Sequence, residues 1–220
     1  MPNWCYNTLL IEAEPQVIAK IKAQLSAPYE RKTQDLPSFE WKTETVEKDL
    51  SFWNIIRPPA DKMDEYHSAK GWNDGKSYGD TEYNWYNWNI TNWGTKWDAS
   101  ESELVDESEI YLQYRFDTPW GVAEGALIAL SKQYPDVGFN LEFEEETGWG
   151  GEVEFTNGES VVIEEYQNRC RQCSALDTLE SCEKCDNYLC SKCNYGEFID
   201  EDTLKECETH KHLANEEVKA

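Results

Sequence analysis

Basic residues are scarce in this chain of 220 amino acids. Lys and Arg number 20 against 44 Asp and Glu, for a formal net charge of −24 and a pI near 4.4. A polyanion approaching from solution meets long-range repulsion, so DNA, RNA and anionic lipid are excluded as partners held by charge alone. Long apolar runs are missing too. Stretches such as Gly125 to Leu130 fall far below the roughly 18 residues that a membrane-spanning helix needs. Histidine is confined to His67, His210 and His212, two of them beside a cysteine cluster, so no Ser-His-Asp or Cys-His arrangement for nucleophilic catalysis can be assembled. Gly148-Trp149-Gly150-Gly151 is glycine-rich, but no Lys-Ser or Lys-Thr follows it, and it reads as a turn and not as a phosphate-binding loop. Met1 to Tyr6 carries neither a basic nor a long apolar stretch, so no secretory signal is expected and the chain is assigned to a reducing cytoplasm.

What is present points to a globular protein. Hydrophobic residues make up 39% and aromatics 13% of the chain, which supplies enough apolar surface for a core. The cysteines then divide it: Cys5 stands alone, and the other seven fall between Cys170 and Cys207. Residues 1–165 hold nearly all the tryptophan and the regular periodicity. Residues 166–220 are too short and too poor in aliphatics to fold without a metal or another staple.

Within residues 1–165, Trp4 to Glu12 reads as a strand, and Pro15 opens a helix to Leu25 with Val17, Ile18, Ile21 and Leu25 at helical spacing. Ser26 to Lys48 reads as a loop or insertion, Leu50 to Ile56 as a strand or short helix, and residues 60–82 as loop. Tyr83 to Asp98, with four Trp and two Tyr among Asn and Thr, and Glu109 to Asp117 both read as sheet. Gly121 to Tyr134 is a helix stopped by Pro135; Val137 to Glu145, Glu152 to Phe155 and Val161 to Tyr166 follow as strands, the last two joined by an Asn157-Gly158 hairpin signal. The expectation is an α+β domain, a mostly antiparallel sheet with two helices packed on it in the split β-α-β manner of ferredoxin-like folds.

Three stretches, Pro2-Asn3-Trp4-Cys5-Tyr6-Asn7, Asn92-Trp93-Gly94-Thr95-Lys96-Trp97-Asp98 and Phe116-Asp117-Thr118-Pro119-Trp120, together resemble the YubB-type ferredoxin-like family over about residues 1–160. Its members are small proteins of bacteriophages and conjugative plasmids, and the name refers to fold, with no iron–sulfur cluster. The resemblance implies a mobile-element origin, a bacterial host cytoplasm and the ferredoxin-like fold. The long acidic stretches and the cysteine-rich tail depart from the family pattern.

The tail carries the strongest chemical signal: Cys170-x2-Cys173-x8-Cys182-x2-Cys185-x4-Cys190-x2-Cys193-x13-Cys207-x2-His210, with His212 as an alternative last ligand. Each x2 pair can present two ligands to one tetrahedral zinc, so four pairs hold two Zn2+. Disulfides are disfavoured by the compartment, and an iron–sulfur centre by the surplus of ligands. The x4 spacing resembles B-box and FYVE modules, a resemblance of ligand spacing only. It implies a treble-clef or cross-brace domain, with Cys170, Cys173, Cys190 and Cys193 on one ion and Cys182, Cys185, Cys207 and His210 on the other; sequential pairing is the rival. With four protein ligands each, both ions would be structural.

The remaining candidates concern a partner. Tyr83 to Asp98 could stack on bases, but such platforms sit in basic grooves and this segment holds one lysine, so core packing is favoured, with Trp93 and Trp97 as the residues available to an interface. Glu101 to Glu109 and Glu142 to Glu146 read as solvated faces. The sharper alternative is that carboxylates on a sheet, Glu144, Glu145 and Glu146 among them, imitate phosphates before a basic host protein. An enzyme would need Asp117, Lys96 and Asp98 as its site. Two functions follow: a non-enzymatic interaction protein that modulates a host protein, as a counter-defence inhibitor or nucleic-acid mimic, or a nucleic-acid-binding accessory protein using the aromatic segment and zinc tail.

Overall fold

The computed structural model describes residues 2–34, 41–67, 81–166, 179–181 and 188–190, with 33, 34, 41 and the last two stretches as backbone only. β1 (Trp4–Glu12) is the axis of the fold. Its odd-numbered residues Cys5, Leu9 and Ile11 are fully buried, with Asn7 nearly so, while Tyr6 and Glu12 lie on the other side, as the twofold period of a strand requires. α1 (Pro15–Leu25) begins on its proline and buries Ile18, Ile21 and Leu25. Chain direction then reverses twice through an antiparallel hairpin, β2 (Tyr29–Gln34) and β3 (Trp41–Val46). A 3-10 turn at Phe52–Asn54, another at Ala60–Lys62, α2 (Met63–Tyr66) and α3 (Trp85–Trp93) complete an insertion before β4 (Ser100–Glu107). β5 (Tyr111–Pro119), α4 (Glu124–Gln133), β6 (Gly138–Glu145), β7 (Gly150–Thr156) and β8 (Glu159–Tyr166) follow.

The six long strands form one antiparallel sheet in the order β4-β5-β1-β6-β7-β8. Its first four strands, with α1 and α4, make a β-α-β-β-α-β unit whose second and third strands sit on one side of β1 and whose fourth sits on the other. This is the ferredoxin-like arrangement, and β7 and β8 extend it as a hairpin. Both helices cover the same face, closing one core of Leu9, Tyr114, Phe116, Leu127, Phe139 and Phe155 among others. Burial pushes the Cys5 thiol up to about 12, so it stays protonated and behaves as a small core hydrophobe.

Four local expectations are corrected. Residues 60–82, read as loop, contain the 3-10 turn at Ala60–Lys62 and α2, which buries Tyr66. Tyr83 to Asp98 is not sheet: Trp85–Trp93 is a helix, capped by the Asn84 side chain, which accepts from Tyr86 N at 3.0 Å, and closed by Gly94 at φ 82°, whose N–H donates to Ile90 O. Asn at the N-cap and glycine just past the end were the legible signals. They were outweighed by the β-favouring tryptophans, of which Trp93 is buried with Asn89 one turn earlier. Ser26 to Lys48 contains the β2–β3 hairpin, too polar to alternate visibly. β4, unforeseen as a strand, is a charged edge strand, the composition by which edges avoid pairing with other chains.

In the cysteine-rich tail, β9 (Leu179–Ser181) and β10 (Tyr188–Cys190) pair antiparallel, with Cys190 opposite Leu179. Cys170, Cys173, Cys182, Cys185, Cys193, Cys207 and His210 lie outside the described residues.

Candidate functional site

With α1 and α4 on one face, no element among the described residues covers the opposite face of the sheet, and register dictates which side chains share it. One row across six strands runs Glu103, Arg115, Thr8, Glu142, Glu152, Glu164. The next runs Ser100, Asp117, Tyr6, Glu144, Gly150, Tyr166. In the first row three glutamates on adjacent strands stand directly opposite one another, at a strand spacing of about 4.8 Å. Like charges in that position destabilise a sheet. Asn140 Nδ2 donates to Glu152 at 2.6 Å, Tyr166 OH to Glu144 at 3.2 Å, and Tyr6 OH to Glu146 at 3.3 Å. The carboxylates of Glu142, Glu144, Glu152 and Glu164 converge with Tyr6 and Thr8 on a depression of about 360 Å³.

An aromatic platform borders this face. Trp4, two residues before Tyr6 on β1, packs on Trp97 with ring centroids 6.0 Å apart, and Trp97 packs on Trp120, also at 6.0 Å. Trp120 is 53% exposed and holds φ at 64°, a left-handed conformation that is strained for a bulky residue. Its N–H donates to Asn3 O at 2.8 Å, which fixes the β5 end against the start of β1. Lys96 Nζ lies 5.0 Å from the Trp97 ring and 5.6 Å from that of Trp120, within cation–π range. The three separated motifs of the sequence thus meet in one place. Beside them the Asp117 carboxyl is held above the usual carboxylate range, first by burial and then by the negative charges of Glu101 and Glu146.

The expected partner-binding residues are divided by this geometry. Trp97 stands on the platform, but Trp93 is 2% exposed, its Nε1 donating to Ile56 O at 2.9 Å and its ring set against Phe52 and Trp53, so it is a core residue. Glu144 and Glu146 engage Tyr166 and Tyr6, whereas Glu145 is buried, accepting from Thr147 N at 2.7 Å and from the Thr147 hydroxyl. Strand alternation makes this separation unavoidable. Glu142 was noted only as the start of the acidic stretch Glu142 to Glu146, and Glu152, Glu164, Trp4 and Trp120 were not singled out as partner-binding residues. Every-other-residue glutamate in Glu142-x-Glu144 and Glu152-x-Glu154 was the available signal. Of the residues required for an enzyme, Asp98 is committed to the fold: its oxygens accept from Tyr29 OH at 3.0 Å, Ser51 Oγ at 2.6 Å, Phe52 N at 2.7 Å and Ala99 N at 2.9 Å.

Residues 91–186 match the family model described as the ferredoxin-like domain in Api92-like protein. The matched span starts within α3 and takes in β4 to β9, whereas the resemblance read from the sequence lay on residues 1–160. Among solved structures, the crystal structure of a protein api92 from Yersinia pseudotuberculosis is 10% identical, with a TM-score of 0.47 over 76% of this chain and 99% of that one. No curated protein matches the chain. No helix among the described residues is long and apolar enough to cross a membrane.

Proposed function

We propose that this chain is a non-enzymatic acidic interaction protein of a phage or plasmid that binds a basic surface of a host protein in the bacterial cytoplasm and alters its activity. The observation that carries the reading is the row Glu142, Glu152, Glu164 on the open face. Three aligned carboxylates cost the isolated sheet stability, and a partner that supplies cations relieves the repulsion while gaining electrostatic steering. Such a face imitates phosphates, and a basic groove shaped for phosphates is the partner surface that fits it. The Trp4–Trp97–Trp120 platform gives the same interface an apolar, aromatic anchor of the kind that dominates binding energy. The alternative, a nucleic-acid-binding accessory protein, draws support from Lys96 within that platform, but the neighbouring Asp117, Glu101 and Glu146 repel phosphates.

Beyond the ferredoxin-like body, the tail is proposed as a cross-brace or treble-clef module with two structural zinc ions on Cys170, Cys173, Cys190 and Cys193 and on Cys182, Cys185, Cys207 and His210. It would act as an adaptor and not as a catalytic centre.

The test is comparative capture from cells that carry the mobile element, using the full chain, the variant Glu142→Gln/Glu152→Gln/Glu164→Gln, and Glu109→Gln as a control away from the row. A host protein retained by the wild type and control and lost with the triple variant supports the reading. Identical captured sets for all three, or retention of a duplex oligonucleotide by the purified chain with a steep loss in salt, would sink it.

A further inference from the structure

Between β2 and α3, reaching Trp97 of the platform and Ser100 at the start of β4, lies a cleft of about 350 Å³, in the size range of small-molecule sites. Its lining is unlike the rest of the molecule. Trp53, Tyr66 and Trp93, all at least nine-tenths buried, form its aromatic floor, and the partly buried rings of Tyr29, Trp85 and Trp97 offer the surface a ligand would meet. The charged groups are Arg31, Lys32, Lys48 and Asp98, with His67 beside them. In a chain where acids outnumber bases by more than two to one, a cleft with three cations and one carboxylate is an inversion of the composition.

The single acid offsets one of them, Lys48. Asp98 spends both oxygens on two hydroxyls and two backbone amides, with Lys48 3.7 Å away. Lys48 also donates to Ala99 O at 2.5 Å and belongs to this structural tie. Arg31 meets Glu44 through Nε and Nη2, both on the same carboxylate oxygen, and among the described residues Nη1 is not used in that contact. Lys32 is only loosely opposed, 4.0 Å from an Asp64 carboxylate that is 99% exposed. Burial, with the positive charge of Lys32, lowers the His67 pKa below its usual value, so His67 lines the cleft as a neutral imidazole. The cleft therefore combines aromatic faces for a planar ring with Arg31 and Lys32 for an anion at its rim.

We propose that this cleft binds a nucleoside monophosphate, the base against the tryptophan and tyrosine rings and the phosphate at Arg31 and Lys32. A nucleobase joined to phosphate could be offered free or at the end of a strand. The net charge of −24 decides for the free mononucleotide, because repulsion grows with ligand charge and a polynucleotide carries one further charge for every residue added. The cleft shares Trp97 with the aromatic platform and Ser100 with the second row of the open face, but none of its charged groups belongs to the glutamate row, so loss of mononucleotide binding and loss of the host partner are separable by variants at Arg31 and Lys32 on one side and Glu142, Glu152 and Glu164 on the other.

Isothermal titration and quenching of tryptophan fluorescence, with the full-length protein and AMP, GMP, CMP and UMP, test this directly. Adenosine, inorganic phosphate and a 5′-phosphorylated oligonucleotide serve as comparisons. The expected result is one equivalent of at least one mononucleotide, bound more tightly than its nucleoside or than phosphate alone. Arg31→Ala and Lys32→Ala should each weaken it about tenfold, the loss of one charge-assisted hydrogen bond, with an unchanged melting temperature. Lys32→Arg should keep most of the affinity, and Glu142→Gln/Glu152→Gln/Glu164→Gln should leave it intact. Three outcomes overturn the proposal: no mononucleotide bound at concentrations up to about 1 mM, binding indifferent to both alanine variants, or binding of the oligonucleotide alone.

Discussion

Neutralising the glutamate row should make the protein more stable, an unusual outcome for a triple substitution on a β-sheet. In Glu142→Gln/Glu152→Gln/Glu164→Gln the side-chain lengths are kept, and the amide introduced on β7 still offers an oxygen to accept from Asn140 Nδ2. What is lost is two like-charge contacts, between Glu142 and Glu152 and between Glu152 and Glu164, each between residues directly opposite on neighbouring strands. Exposed cross-strand pairs of this kind are worth about 0.3–0.5 kcal/mol each, within the range for such pairs, so the variant should gain about 0.5–1 kcal/mol. For a chain of this size that corresponds to roughly 1–4 °C in melting temperature by differential scanning calorimetry. Because the interaction is between solvated charges, the gain should be largest at low ionic strength and close to absent in about 1 M salt, where the screening length falls to about 3 Å. It should also vanish at a pH low enough to protonate all three wild-type carboxylates. A melting temperature at low salt that is unchanged or lower in the variant refutes the claim that the row is held at a cost, and with it the reason for assigning the row to a partner.

Other substitutions probe the frame and the site. Gly125→Ala would favour a helix by about 1 kcal/mol on propensity alone. Here the new Cβ would stand 2.7 Å from Asn92 O on the backbone of α3, so overpacking at about 1–3 kcal/mol should prevail and denaturant midpoints should fall. Asp117 holds its proton more tightly in the native state than unfolded, so it subtracts stability as the pH rises through and above about 4. Asp117→Asn should therefore be more stable than wild type near neutral pH and indistinguishable from it once the carboxyl is protonated in both states, as pH-dependent chemical denaturation will show. Elemental analysis should find two zinc ions per chain. Cys185→Ser should lower that count while the near-UV circular dichroism of the tryptophan-rich body persists; a count of one or none in the wild type contradicts the paired-ligand reading.

Much of the body was legible because its signals are local. Pro15 with Ile18, Ile21 and Leu25, the alternation of β1, β5 and β6, and Asn157-Gly158 between β7 and β8 each require only a few consecutive residues to declare an element. The α+β, ferredoxin-like class was expected from the alternation of these elements, but the second strand of the unit, β4, was not among those read from the sequence. The insertion was read less well. β2, β3 and β4 are stabilised by pairing with partners far along the chain or across a turn, and their polar composition leaves no periodicity to detect. In α3 the capping residues competed with strand-favouring aromatics, and it was packing of Trp93 on Phe52 and Trp53 that settled the outcome.

The charge balance, the two helices on one face, the core strands and the cysteine spacing of the tail were all readable along the chain, being properties of composition or of short-range period. Which acids form a surface was settled by long-range contacts. Glu144, Glu145 and Glu146 are neighbours in sequence, yet alternation buries Glu145 on Thr147 and leaves the other two to tyrosines. Glu142, Glu152 and Glu164, well separated in sequence, are brought into line by strand register. Trp4, Trp97 and Trp120 likewise become one platform because β1 lies beside β5, and a cationic cleft arises in an acidic chain because β2 folds over the aromatic insertion. Proximity across a sheet depends on register and on long-range pairing, which no window along the chain contains.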